Sequence, residues 1–446
     1  RNRLRVLRSI PPCRFFQTHR EPEHPDPSLP ESLPRISSGT FSNCRLLEEI
    51  KFPVALKSIG CEAFRNCLSL KSVEIPKGVV LIEREAFRDC INLKGKVIIP
   101  ESIEVIRNLA FSGCESLEMV CFAPNASMTS LNRGTFRGCK NLREVQLSRT
   151  VKAIGGSAFE DCSSLTNINI SNTEIAKIGR YTFKNCSNLT EILFPNCLQS
   201  IGVEAFSHCK KLERIVFNGP INLLDSSAFR CCDSLLEVDA GKGVEIIGRY
   251  TFAYCKSLNT IKLEGTKNIG QYAFLECLSL KTIKIPDTVR IIAEGSFENC
   301  GSLTSINLPD QIDTIDRFCF SRCRRLSDIS LPTSLKYINQ AAFARSGLRE
   351  ITVPSNVKEI TVAVFGDCQD LEKVIIQGEE TIVYNNSFPG CTIQRENITA
   401  TKWQKKKILQ SMNESYYFIP IPKRSNVGKD YKPPKKRKLP RPDFIE

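Results

Sequence analysis

From Phe274 to Phe297 the apolar positions fall at Phe274, Cys277, Leu280, Ile283, Ile285, Pro286, Val289, Ile292 and Phe297. The next stretch reads Phe297, Cys300, Leu303, Ile306, Leu308, Pro309, Ile312, Ile315 and Phe320, each position returning after 23 residues. The anchoring aromatics are Phe41, Phe64, Phe87, Phe111, Phe136, Phe159, Phe183, Phe206, Phe229, Phe252, Phe274, Phe297, Phe320, Phe343, Phe365 and Phe388, at intervals of 22 to 25 residues. A fixed period of this length predicts stacked coils rather than one globular core. In each unit the pattern L-x-x-I-x-I predicts one short strand, with Leu and the two Ile inward and the intervening residues outward. Proline then ends the pairing, as at Pro53, Pro76, Pro195, Pro286 and Pro309. A β-branched pair follows, often closed by Ile-Gly (Ile59–Gly60, Ile154–Gly155, Ile178–Gly179, Ile201–Gly202), where glycine suits a tight return turn. One unit buries too few side chains to offset the ordering of its own backbone, so stacking must supply the difference.

The motif F-x-x-C-x-x-L-x-x-I-x-[IL]-P resembles the BspA-like class of leucine-rich repeats, in which L-x-x-I-x-I is the strand. The resemblance implies a β-rich solenoid, a right-handed leucine-rich-repeat superhelix of about 15–16 repeats, with a concave strand face, a role in recognition and no shared catalytic residue. It covers residues 36–393 and divides the chain in three: a basic then Pro-rich N-terminal extension at 1–35, the solenoid at 36–393, and a basic C-terminal extension at 394–446.

Several units depart from the pattern. An extra residue near Gly95 shifts the strand to 97–99, and the long interval from Phe111 to Phe136 points to a surface bulge at 124–128. Ser346 stands where the other units have Cys, and no Leu follows Cys391, so the repeats are expected to stop there.

Fifteen of the 21 cysteines lie three residues after an anchor Phe. Equivalent residues of adjacent coils stand about 4.8 Å apart with parallel side chains. A disulfide needs converging Cβ atoms about 3.8 Å apart. The series is therefore expected to be a ladder of buried, reduced thiols acting as small hydrophobes, which favours a reducing compartment. A cysteine per coil gives a row rather than a tetrahedron, so no metal is expected, and no cofactor.

Catalysis is not expected either. The only histidines are His19, His24 and His208, and no nucleophile-elbow, P-loop or H-E-x-x-H motif occurs. A Ser207–His208–Cys209 nucleophile is outweighed by a polar turn preceding the ladder cysteine. No apolar run reaches the roughly 18 residues of a membrane span, and no small-molecule substrate is indicated.

The net charge of +14 sits at the ends. Residues 1–20 hold six Arg and no acid; residues 401–446 hold thirteen Lys or Arg against four acids, leaving the solenoid close to neutral. The first stretch (Arg1, Arg3, Arg5, Arg8) is similar to a mitochondrial transit segment. At the other end a short basic helix is predicted over 401–412, carrying Trp403, Lys405, Lys406 and Lys407. Lys423–Arg424 and Lys435–Lys436–Arg437–Lys438 resemble a bipartite nuclear signal and equally an RNA-binding extension. The concave strip expected to dock proteins is Glu144, Gln146, Asn167, Asn169, Glu191, Leu193, Arg214, Val216, Glu237 and Asp239, a mildly acidic surface with apolar spots.

The expectation is a non-catalytic scaffold in a large RNA-containing assembly, mitochondrial-ribosome-like and in the mitochondrial matrix, with RNA or another polyanion on its ends and proteins on its concave face. A nuclear adaptor and a cell-surface adhesin are the alternatives; the thiol ladder disfavours the adhesin.

Overall fold

The structure, a computed structural model, describes residues 29–414. Within them the chain is a parallel β-solenoid of about 16 turns. The expected strand recurs from Gly95–Ile99 to Ile398–Thr399, in sheets of four, three, three and three strands. The equivalent segments of the first two coils, 47–52 and 70–75, follow the same pattern without forming strands.

A second ladder departs from the reading of one strand per unit. The β-branched pairs form two-residue strands such as Ser58–Ile59, Lys177–Ile178 and Ser200–Ile201, in sheets of four, eight and four strands. In register, Ile178 lies between Ile154 and Ile201. Two residues suffice because a coil on either side satisfies their backbone groups.

The glycines after these pairs also have a different reason from the one expected. A Cβ on Gly60 would lie 2.7 Å from the Ile36 carbonyl oxygen, and one on Gly179 would lie 2.5 Å from the Gly156 nitrogen. Neighbouring coils approach backbone to backbone here, and a left-handed turn is not what excludes a side chain.

The third edge is a turn around each anchor Phe. The residues two before and two after it have left-handed backbones even without glycine: Glu62 (φ 55°) and Asn66 (φ 57°), Tyr250 (φ 56°) and Tyr254 (φ 64°). This conformation costs free energy at an ordinary residue. Hydrogen bonds to the next coil offset it: the N–H groups of Glu62, Phe64 and Asn66 donate to the carbonyls of Arg84, Ala86 and Arg88 at 2.9, 2.7 and 2.9 Å.

The turn sends Phe and Cys into the core. The anchor rings form a continuous column, with successive centroids 4.8–5.7 Å apart and planes within 21°. Beside them the ladder cysteines do more than fill space. Each thiol donates to the carbonyl of the previous coil's Phe, as in Cys90 to Phe64 (3.1 Å), Cys186 to Phe159 (3.2 Å) and Cys323 to Phe297 (3.1 Å). The repeat-position cysteines from Cys90 to Cys323 are reduced, and burial pushes the thiols of Cys90, Cys186 and Cys323 well above the ordinary range. A protonated thiol keeps its donor.

The extra residue at Gly95 is absorbed as a register irregularity between Gly95 and Lys96, as expected. The 124–128 insertion is not simply a surface loop, because Ala126 and Met128 are fully buried.

Both ends of the ordered stack extend past the repeats. Leu29 and Leu33 pack against the core. Beyond Cys391, the strand Ile398–Thr399 adds to Lys373–Ile376, and the helix Lys402–Ser411 closes the end. Thr401 caps that helix in a reciprocal capping box with Gln404. The Gln404 amide donates to the carbonyls of Gly378 and Thr381 at 2.8 and 2.9 Å, Ile408 is fully buried, and the Ser411 hydroxyl accepts from the Phe388 N–H at 2.6 Å.

Candidate recognition face

The outward residues of the longer strands form one surface. Asn167 and Asn169 lie beside Glu144 and Gln146, and Arg214 and Val216 beside Glu237 and Asp239, in direct parallel register. Glu191 is bridged to Arg214, and the two groups belong to consecutive coils joined by the short-strand ladder through Ile154, Ile178 and Ile201. All ten residues expected on a docking strip therefore share one face.

Its electrostatics are tempered by pairing along the stack. Arg214 Nε lies 3.2 Å from Glu237 Oε2, and Lys262 Nζ lies 2.8 Å from Asp239 Oδ2. Lys262 holds the Asp239 carboxyl below its usual range. The Gln146 amide donates to Glu144 at 2.8 Å and accepts from the Cys121 thiol at 3.3 Å. Leu193, in the middle of the face, is 55% exposed. A cleft of about 220 Å³ opens on the same face between Gln146, Asn169 and Asn172.

The face also extends further toward the N-terminus than the sequence reading placed it. Lys96, Ile98, Met119 and Cys121 continue it, with Ile98 in register with Cys121 and Cys121 with Gln146. Ile98 is 57% exposed. Outward alternation in the 95–99 strand was the available signal, and the local irregularity at Gly95 obscured it.

The remaining sequence candidates fall elsewhere. Trp403, Lys405, Lys406 and Lys407 ride on the helix that closes the stack; Trp403 is 49% exposed, with Lys407 Nζ 5.8 Å from its ring. Arg1, Arg3, Arg5, Arg8, Lys423, Arg424, Lys435, Lys436, Arg437 and Lys438 lie outside the described residues. His208 is half-buried on the turn edge, and burial together with Arg230, Lys184 and Lys210 pushes its pKa down. The thiol of neighbouring Cys209 turns inward, donating to Phe183 at 3.2 Å, so no nucleophile pair forms. Glu298 is buried beneath the same edge, and burial, opposed by Arg322, pushes its carboxyl up to about 7. Among the described residues no group of three or more His, Cys, Asp or Glu is placed to hold a metal, and no helix is long and apolar enough to cross a membrane.

The family model described as the BspA type leucine rich repeat region (6 copies) matches residues 23–128, 122–235, 176–300 and 267–395. The chain belongs to this family. Among solved structures it is similar to a leucine-rich repeat protein from Bacteroides ovatus, with 32% identity, 70% of this chain and 82% of that chain covered, and a TM-score of 0.62. A leucine rich cell surface protein from Faecalibacterium prausnitzii shows 27% identity over 70% of this chain and 84% of that chain, at a TM-score of 0.46. No curated protein matches the chain. Members of this repeat family are generally non-catalytic interaction scaffolds.

Proposed function

We propose that this chain is a scaffold that docks a protein partner on its long-strand face. The observation that carries the reading is Leu193, exposed at the centre of a face on which Arg214 pairs with Glu237 and Lys262 with Asp239. An apolar anchor inside a polar rim is the arrangement that concentrates binding energy at protein interfaces. Leu193→Asp with Val216→Asp should abolish partner binding while leaving thermal unfolding unchanged, because neither side chain is in the core. Retained binding would exclude this face.

The basic ends support a finer reading. Their charge suits RNA or another polyanion, in an RNA-containing assembly such as a mitochondrial-ribosome-like particle in the matrix. The runner-up for the same residues is nuclear import through Lys423–Arg424 and Lys435–Lys438. Removing residues 420–446 distinguishes the two. In the first case particle association falls; in the second the protein relocates and purified-particle association is unchanged.

A further inference from the structure

On most of the turn edge, arginines have acidic partners. Arg65 pairs with Glu62 at 3.1 Å, Arg137 with Glu160 at 3.2 Å, and Arg88 with Glu85 at 3.2 Å. The four coils anchored by Phe183, Phe206, Phe229 and Phe252 differ. Among the described residues, Arg180, Lys210, Arg230 and Arg249 have no carboxylate within the 4.0 Å of an ion pair.

The three guanidiniums lie on tyrosines instead. Arg180 stands 4.8 Å from the centroid of Tyr181, and Arg249 stands 4.9 Å from that of Tyr250. Arg230 lies 5.2 Å from Tyr254 and 5.9 Å from Tyr250, and Tyr250 stacks on Tyr272 at 5.1 Å. The nearby acid Glu204 is already engaged by Lys184 at 2.6 Å. The downward shift at His208, caused after burial by Arg230, Lys184 and Lys210, reflects the same positive field.

Arg180 donates one N–H to the Tyr181 hydroxyl at 3.0 Å; the remaining N–H groups of the stacked guanidiniums stay open to an acceptor, and a guanidinium edge matches a carboxylate bidentately. Arg180 and Arg249 are both exposed. They stand three coils apart, about 14 Å at the usual inter-strand spacing, which an extended segment of about four or five residues spans. Nucleic acid is the poorer fit. Base stacking needs open ring faces, whereas Tyr181 and Tyr250 are covered by cations and Tyr272 by Tyr250.

We propose that the turn edge from Arg180 to Arg249 binds an extended, carboxylate-rich protein segment, as a second interaction surface separate from the long-strand face. The test uses the full chain at physiological salt and an octaglutamate peptide with an N-terminal benzoylphenylalanine. After irradiation, adducts are mapped by mass spectrometry. Adducts are expected on the peptides spanning 180–184 and 249–254, whatever the basic ends also take up. Their yield should fall at least tenfold in R180E/R249E, two exposed changes checked for an unaltered melting temperature, and hold in K373E, on the other face. The proposal is overturned if adducts are confined to residues 1–28 and 415–446, or if the edge yield persists in R180E/R249E. It is equally overturned if a dT12 oligonucleotide with a photoreactive group labels this edge more strongly than the peptide does.

Discussion

The Cys90 thiol lies 3.1 Å from the Phe64 carbonyl oxygen and donates to it across the gap between coils. The bond recurs along the stack and fails at Phe320. There Ser346 replaces cysteine, and its hydroxyl meets the Cys368 sulfur at 3.4 Å. Among the described residues, no side chain donates to the Phe320 carbonyl, which receives only the Cys323 N–H at 3.2 Å. The longer C–S bond is what reaches the neighbouring coil. Ser346→Cys should therefore stabilise the protein by about 0.5 kcal/mol, the scale of a weak S–H···O bond, measured as a shift in the urea midpoint. No gain would mean that a thiol at this position adds nothing to the ladder.

The same thiols give the fold an alkaline limit. Burial raises their pKa in the folded state, so above the unfolded value of 9.0 the folded chain binds more protons than the unfolded chain. Stability from this source is fully present below pH 9 and is lost as pH rises through the folded values. Urea midpoints should fall steadily above pH 9, and less steeply once Cys186 and Cys209 are replaced by alanine. Exposed Cys197 should react with a thiol reagent in the native state while the ladder stays protected.

Phe206→Ala should cost about 3–5 kcal/mol, as for a buried aromatic. Phe41→Ala should cost clearly less, because that ring is only partly buried at the open end. Phe388 behaves as an interior residue despite being the last anchor, because the C-terminal helix covers it and it is fully buried. Its alanine variant should match Phe206→Ala until Ile408→Asp releases the helix. Urea unfolding of the three single variants and the Phe388/Ile408 double variant checks this order.

The anchors, the core positions and the outward strip were legible because all depend on one period, and a one-residue error would have moved every side chain to the wrong face. The second ladder was hidden because Lys177–Ile178 is too short to show alternation. The thiol bond was hidden because its acceptor is a backbone carbonyl in the previous coil, which no residue pattern reports. The helix cap was legible as a helix over 401–412. Its docking was not, because buried Gln404 and Ser411 read as polar surface. The arginine–tyrosine cluster was missed because its members come from different coils at unequal offsets.

The most direct test of the docking face is amide exchange of the protein with and without its native protein partner. Slowed exchange is expected in Glu144–Gln146, residues 191–193, Arg214–Val216 and Glu237–Asp239. The short strands Lys177–Ile178 and Ser200–Ile201, on another face of the same coils, should be unchanged. Protection confined to those short strands, or to the basic ends, would contradict the account.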